Sequence, residues 1–418
     1  MSNSIYQNSY DVVVIGGGAA GLMCAVQTSG RGLKTAILDS NRQLGRKLRI
    51  TGKGRCNLTN ASDIREFMAN IPGDGRFLYS ALNRFSPSDA VAFFEKNGLD
   101  TKVERGNRVF PVSDNANDVA DLLVGLCRQN GVEVIRTRAD RVDTDLNGVC
   151  DVHTELGSIP CRAAVLCTGG LSYPLTGSDG TGYTIAGHLG HTVTPLHPSL
   201  VPLESADDFC RELQGFSLKD VRLRAYENNK QVFNEIGEML FTHFGVSGPL
   251  VLSASAHMRN FSEKTYRLEV DLKTALDDDK LDAKLLRIFA ENSNKTLRNV
   301  MPDIIGRSLA PVILSLSGAD GDTLVNSVTH EDRTKIRTLL KAFPVSVSGP
   351  RPVDEAIVTA GGVCTKEVNP RTMESKFVPG LYFAGEVLNL DAYTGGFNLQ
   401  IAWSTGFLAG NSIPVTDG

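Results

Sequence analysis

The chain has 418 residues, 41% hydrophobic and 22% charged, an ordinary globular composition that excludes disordered and fibrous classes. The length predicts two or three domains, and a formal net charge of −4 argues against a dedicated nucleic-acid binder. The eight cysteines, at 24, 56, 127, 150, 161, 167, 210 and 364, form no C-x-x-C pair and no zinc spacing. A reduced, cytoplasmic protein without a metal site is expected. The first residues, MSNSIYQNSYD, lack the basic start of a secretory leader. The longest uncharged window, Leu240 to Met258, is broken by Gly, Pro, His and Ser, which makes it a poor membrane span.

Taken in order, DVVVI (11–15) is a continuous apolar run of the kind buried on both faces of a parallel sheet. GGGAAG follows at once and opens a helix that ends near Gly30 or Gly32, and Thr35 to Leu38 is a second strand ending at Asp39. This is a βαβ unit. Residues 31–55 carry eight Lys or Arg against one acid, Asp39. Helices are predicted at 78–83, 87–97 and 116–129, and a strand at Val132 to Ile135. Two β runs follow near 140–153, with a buried strand at Ala163 to Cys167. From about Val193 alternating runs such as VRLRAY and YRLEVDL indicate antiparallel structure. Residues 273–343 read as helical, 344–360 as β again, and GLYFAGE (380–386) as a last buried strand before a helix at 395–410. The predicted class is α/β. A two-dinucleotide-binding, Rossmann-like domain (1–193 and 361–418) is interrupted by an antiparallel β-barrel-like domain (194–272 and 344–360) with a nested helical domain (273–343).

Gly16-x-Gly18-x-x-Gly21, with Ala20 inside it, stands between a strand and a helix. Gly16 permits the tight turn, Gly18 lets backbone approach a pyrophosphate, and Gly21 allows close helix–strand packing. The helix N-terminus offers free N–H groups to phosphates, and Asp39 is placed to accept from ribose hydroxyls. This pattern does not separate NAD from FAD, but the C-terminal half does. In two-dinucleotide-binding flavoproteins a late strand ending in A-G-E, here Ala384-Gly385-Glu386, puts a carboxylate near the ribityl and pyrophosphate. The following helix, opened by Gly395, Gly396, Asn398 and Leu399, points its positive end at the flavin pyrimidine edge. Thr168 and Gly169 of CTGG (167–170) form the third strand end, and Val134 is placed to pair its backbone with adenine.

GRKLRITGKGRCNLTN (45–60), NRVFPVSDNA (107–116), FTHFGVSGP (241–249), VTAGGV (358–363) and GLYFAGEVLNLDAYTGGFNLQIAWSTG (380–406) resemble one family of bacterial flavoproteins. These are FAD-binding proteins of the aminoacetone-oxidase type, also described as bile-acid-reductase-like NAD(P)/FAD-dependent oxidoreductases. The resemblance spans nearly the whole chain and implies an FAD domain, an inserted β-barrel-like domain and a small helical domain; no histidine is placed for covalent attachment, so FAD is expected to be held non-covalently. The resemblance places Arg46 and Lys47 near the pyrophosphate and Arg55, Cys56 and Asn57 near the isoalloxazine. One departure is Lys53, where many members carry a glycine run.

The function expected is an FAD-dependent oxidoreductase that moves hydride between flavin N5 and NAD(P)H or a small organic substrate. One alternative is a flavin amine oxidase that takes an aminoacetone-like donor and passes electrons to O2. Another, of a different class, is a flavin-containing nucleic-acid-acting or regulatory protein using the basic 31–55 face. No second strand–GxGxxG–helix unit is present, so NADP is expected as a transient substrate, its 2′-phosphate favoured by Arg49 and Lys53. The catalytic acid or base is not named by any pattern. Tyr173 and His243 are the proton donors to consider, and GSDGTGY (177–183) resembles a loop that frames the cavity of fumarate-reductase-like flavoproteins. His188, His191 and His197 are read as packing or exposed residues.

Overall fold

Val12, Val13 and Val14 are fully buried within Tyr10–Ile15 (β1), as a strand covered on both faces requires. β1 pairs in parallel with Thr35–Leu38 (β2) on one side and with the strand Gly157–Leu166 on the other. Glu133–Ile135 pairs in parallel with β2, and Leu381–Phe383 with Gly157–Leu166. The start of Gly157–Leu166 also pairs antiparallel with Gly148–Thr154, which pairs with Ala139–Asp145. Ten residues thus serve a meander first and the parallel sheet second. This is the Rossmann-like α/β sheet expected. The computed structural model describes residues 9–73 and 75–415, and the leader reading concerns residues 1–8, outside them.

The helix Ala19–Gly30 (α1) buries Leu22, Met23 and Ala25 and crosses the last helix, Phe397–Ser412, with backbone close to backbone. A Cβ at Gly406 would lie 2.4 Å from the Ala20 carbonyl oxygen, and one at Gly410 2.7 Å from that of Cys24. Small residues on the last helix are therefore what lets it lie against α1.

The chain divides into two compact units, Met1–Ser199 with Pro352–Gly418, and Leu200–Arg351. The divisions fall at 199 and 352 against the expected 193 and 361. The reason is that Val193–Ser199 pairs antiparallel with Val358–Val363, a ribbon that belongs to the first unit. The second unit is built on an antiparallel sheet in the order 343–347, 266–271, 217–227, 230–242, 245–247, 203–204, 349–350. Its two end strands are Phe343–Val347 and Gly349–Pro350, joined by Ser348 alone. A sheet whose opposite edges are one residue apart in the chain must curl until those edges approach, which is the barrel-like form expected. The helices Asp278–Glu291, Leu297–Ile305, Leu309–Ser317 and His330–Lys341 fill the stretch between two of its strands. Lys341 Nζ donates to Asp271 Oδ2 at 2.6 Å and ties the last of these helices to the strand before the first.

Three features escape the sequence patterns: the short helices Arg46–Ile50 (α2) and Ile64–Ala69, the helix Pro249–Ser255 inside the uncharged window, and a small antiparallel sheet. That sheet joins Thr59–Asn60 (β3), Arg108–Pro111 and Thr101–Glu104. Among the described residues no helix is long and apolar enough to cross a membrane.

Candidate dinucleotide site

The turn from β1 to α1 leaves room for hydrogen alone at two of its glycines. A Cβ at Gly16, whose φ is +102°, would sit 2.5 Å from the Cys167 carbonyl oxygen. One at Gly21 would sit 1.9 Å from the Gly16 carbonyl oxygen. Gly18 differs, since a Cβ there meets nothing within 4 Å. It caps α1 with no side chain over the helix end and no acid in the first turn. The free N–H groups of α1 therefore face open space, which is the environment an anion needs. Asp39, at the end of β2, accepts from Gly17 N at 2.8 Å and from Asn41 N at 2.8 Å. Val134 lies on the edge strand beside Ile37, so its outward backbone groups are not used by a neighbouring strand.

Two further strand ends meet this turn. A Cβ at Gly385 would come within 2.8 Å of the Ala20 Cβ, so the A-G-E end abuts the start of α1. Glu386 accepts from Lys47 Nζ at 2.7 Å, Ser172 Oγ at 2.9 Å and Thr359 N at 2.9 Å. Lys47 also donates to Ser172 Oγ at 2.8 Å. One carboxylate thus joins α2, the segment after CTGG, the VTAGGV strand and the A-G-E end. At the third corner Gly396 caps the last helix, again without a capping side chain or an acid in the first turn. The loop before it is held to β3, since Asn60 Nδ2 donates to the Gly395 carbonyl at 3.0 Å. Asn398 turns inward, accepting from Ala392 N at 2.9 Å and donating to the Ala392 carbonyl at 2.7 Å. Leu399 packs against the core.

These elements fit FAD. Asn57 Oδ1 and Thr168 Oγ1 are buried with no hydrogen-bond partner among the described residues, and a buried polar atom left unpaired is costly. Both belong to segments that meet the open helix ends, Thr168 beside Gly16 and Asn57 two residues before β3. Thr168 Oγ1 itself faces Gly182, where a Cβ would lie 2.0 Å from it, so the fit rests on the two uncapped helix ends at Gly18 and Gly396, whose N–H groups suit phosphates and the flavin edge. Gly169, with φ +74°, packs on Ser178 of the GSDG loop.

Three cations of the basic run have partners within the protein. Arg55, expected beside the isoalloxazine, donates to Glu104 Oε1 and Asp114 Oδ1, each at 2.5 Å, with its guanidinium 4.2 Å from the Phe110 ring centroid. These hydrogen bonds hold the Glu104 carboxyl below its ordinary range, and together with Lys102 they do the same for Asp114. Lys47, expected near the pyrophosphate, is the partner of Glu386. Arg49 donates to Asp121 Oδ1 at 2.6 Å and Asn117 Oδ1 at 3.0 Å, while Lys34, Arg42, Arg46 and Lys53 are the exposed cations of this stretch. Ser172, Thr359 and Asn41 were not foreseen as site residues, although Ser172 lies two residues after T-G-G and Thr359 lies in the quoted VTAGGV. His191 is a core residue, bonded to Ser375 Oγ at 2.8 Å, and burial holds it below the ordinary histidine value.

Cys56 is fully buried and burial pushes its thiol up to about 12, so it is no thiolate nucleophile at neutral pH. All eight cysteines are free, and Cys150 and Cys364 alone are not buried. An aromatic disulfide reagent added to native protein at neutral pH should therefore titrate at most those two thiols rapidly, and Cys56→Ser should leave the flavin spectrum unchanged. Rapid loss of a third thiol that disappears with Cys56→Ser would show that Cys56 is reactive after all.

A family model described as "HI0933-like protein Rossmann domain" matches residues 10–412. The chain is 32% identical over 406 residues to the ribosomal RNA dihydrouridine synthase of Escherichia coli (strain K12), covering 95% of this chain and 96% of that one. It is 30% identical over 405 residues to the 3-dehydro-bile acid delta(4,6)-reductase of Clostridium scindens, covering 96% and 98%. Among solved structures, the 3-ketosteroid-delta4-(5alpha)-dehydrogenase of Rhodococcus jostii RHA1 superposes with a TM-score of 0.55 at 14% identity, covering 98% of both chains. That similarity concerns the fold.

Proposed function

The chain belongs to the HI0933-like Rossmann family of FAD-dependent oxidoreductases, and we propose that it reduces a ring C=C bond conjugated to a carbonyl. The observation that carries this reading is that two relatives, each matched over at least 95% of this chain, are named for saturating such a bond. FAD, when bound, supplies the hydride at N5. The protein's part is to hold the cofactor at the three corners described and to aim the uncapped start of the last helix at its pyrimidine edge. Negative charge there is stabilised by the helix N–H groups.

Two rings answer to this chemistry. The relative at 30% identity favours a small cyclic enone such as a 3-keto-4-ene steroid. The relative at 32% identity favours uracil within ribosomal RNA. The experiment is an anaerobic one, in which the flavin is reduced and a steroid enone or a ribosomal RNA fragment is then added. Return of the oxidised flavin absorbance, with saturated product found by mass spectrometry, identifies the ring. Reoxidation by neither, with rapid bleaching of the resting protein by aminoacetone, sinks the reading in favour of the amine oxidase.

The electron source we propose is a reduced nicotinamide that enters beside the flavin. Lys53 is exposed and makes no ion pair, whereas Arg49 is engaged with Asp121. NADPH is therefore expected to bleach the flavin faster than NADH, and Lys53→Gly to remove most of the difference, about twofold to fivefold for one lost exposed charge contact. Equal rates with both nucleotides in the parent protein would remove Lys53 from donor recognition.

A further inference from the structure

We propose that Ser172–Gly177 is a strap across the pyrophosphate stretch of the bound dinucleotide and that its release sets the rate of FAD exchange. The proposal rests on the FAD site described above and concerns residues that no binding motif covers. One end of the segment is firmly held. Ser172 is fully buried, its Oγ lies between Glu386 and Lys47, and its N–H donates to Thr359 Oγ1 at 3.1 Å. The other end runs into Ser178, which is buried and packs on Gly169; between the ends the Thr176 carbonyl accepts from Asn41 Nδ2 at 3.0 Å, and the same amide donates to Asp39.

The two anchors stand on opposite flanks of the open end of α1. Asp39 ends β2 on one side of β1, and Glu386 follows Leu381–Phe383 on the other, beyond Gly157–Leu166. Asp39 takes the N–H of Gly17, while Gly385, next to Glu386, abuts Ala20. A chain joined to both must cross in front of the helix end where Gly18 leaves room.

Between the anchors the segment is a closed turn. The Tyr173 carbonyl accepts from Thr176 N at 2.8 Å and Thr176 Oγ1 at 2.7 Å, and that of Pro174 from Gly177 N at 3.0 Å. Tyr173 is held at φ +54°, a conformation unfavourable for an aromatic residue. Its ring remains 37% exposed and Leu175 is 83% exposed. With Ser172 and Ser178 both buried, the exposed turn between them is held to the α1 side by Asn41 alone. The strap lifts between two fixed ends and is latched at Asn41.

Gly177→Ala tests the latch, because a Cβ there would come within 2.4 Å of Asn41 Nδ2 and displace it. FAD release, followed as flavin fluorescence recovered on dilution of the holoprotein, should speed up about tenfold, the effect of one lost hydrogen bond. In unaltered protein, chymotrypsin should cut after Leu175 readily without FAD and slowly with it. Tyr173→Gly, which removes the ring and relaxes the backbone, should also speed release and serves if Gly177→Ala does not fold. Unchanged release in the folded variants, or cleavage after Leu175 indifferent to FAD, overturns the strap. Retention of FAD by Gly18→Val would instead overturn the site itself, so the two failures are distinguishable.

Discussion

Gly18→Val is expected to melt like its parent but to retain no FAD through gel filtration. The backbone at Gly18 has φ −82° and ψ −165°, extended values that valine adopts readily. A Cβ there touches no protein atom within 4 Å, so nothing in the fold opposes the substitution. The branched side chain instead fills the space in front of the α1 N–H groups. Steric overlap of this kind costs about 1–3 kcal/mol when neighbours can yield, and a phosphate held by backbone N–H groups cannot yield without losing them. A loss of affinity of at least about 100-fold is expected. Gly21→Ala provides the contrast. Its Cβ would lie 1.9 Å from the Gly16 carbonyl oxygen, so the turn itself must move and the melting temperature should fall. FAD affinity unchanged in Gly18→Val, measured by fluorescence quenching, would remove the α1 end from the binding site.

The second large effect belongs to Glu386→Ala. The substitution strands three donors at once, Lys47 Nζ, Ser172 Oγ and Thr359 N. The side chains of Lys47 and Glu386 are 22% and 19% exposed, so water compensates only in part. Removing one partner of a buried pair costs about 3–5 kcal/mol, and the residual exposure lowers the expectation here to about 3 kcal/mol. Lys47→Met should cost less, because Glu386 keeps two of its donors. Thermal unfolding of both apoproteins gives the order. FAD affinity should follow it, since Glu386 joins four segments that line the site. A Glu386→Ala protein as stable as its parent would show that the joint is not structural.

The parts of the fold that could be read in the sequence are those set by local pattern. The apolar run 11–15, the glycines after it and the strand ending at Asp39 form one continuous unit whose residues pack on one another. The helices predicted at 87–97 and 116–129 are found at Pro87–Lys96 and Ala116–Gln129, with a capping box at Ser86 and Asn115 as the cap. Hidden from the sequence were short elements and distant partners. Arg46–Ile50 is a helix of five residues, too short for its own propensity to decide. It forms where Lys47 meets a carboxylate 339 positions away. Arg55 belongs by sequence to the GRCN segment but by packing to the small sheet that carries Glu104, and a resemblance passes on a residue's place without its partner. Gly396 shows the same limit. A Cβ there would strike the Thr59 carbonyl oxygen at 2.3 Å, so a carboxylate introduced at that position tests folding before it tests charge.

The pairing of Val193–Ser199 with Val358–Val363 sets Ser199 opposite Val358, and on the other side of the division Leu203 is opposite Pro350. The 152 residues from Leu200 to Arg351 therefore leave and rejoin the nucleotide-binding part between neighbouring points, with matched ends on both sides of the junction. Such an arrangement has the form of a cassette. A coding segment spliced in at one tight crossing, and replaced there by another of different sequence, would leave the register of the host strands intact.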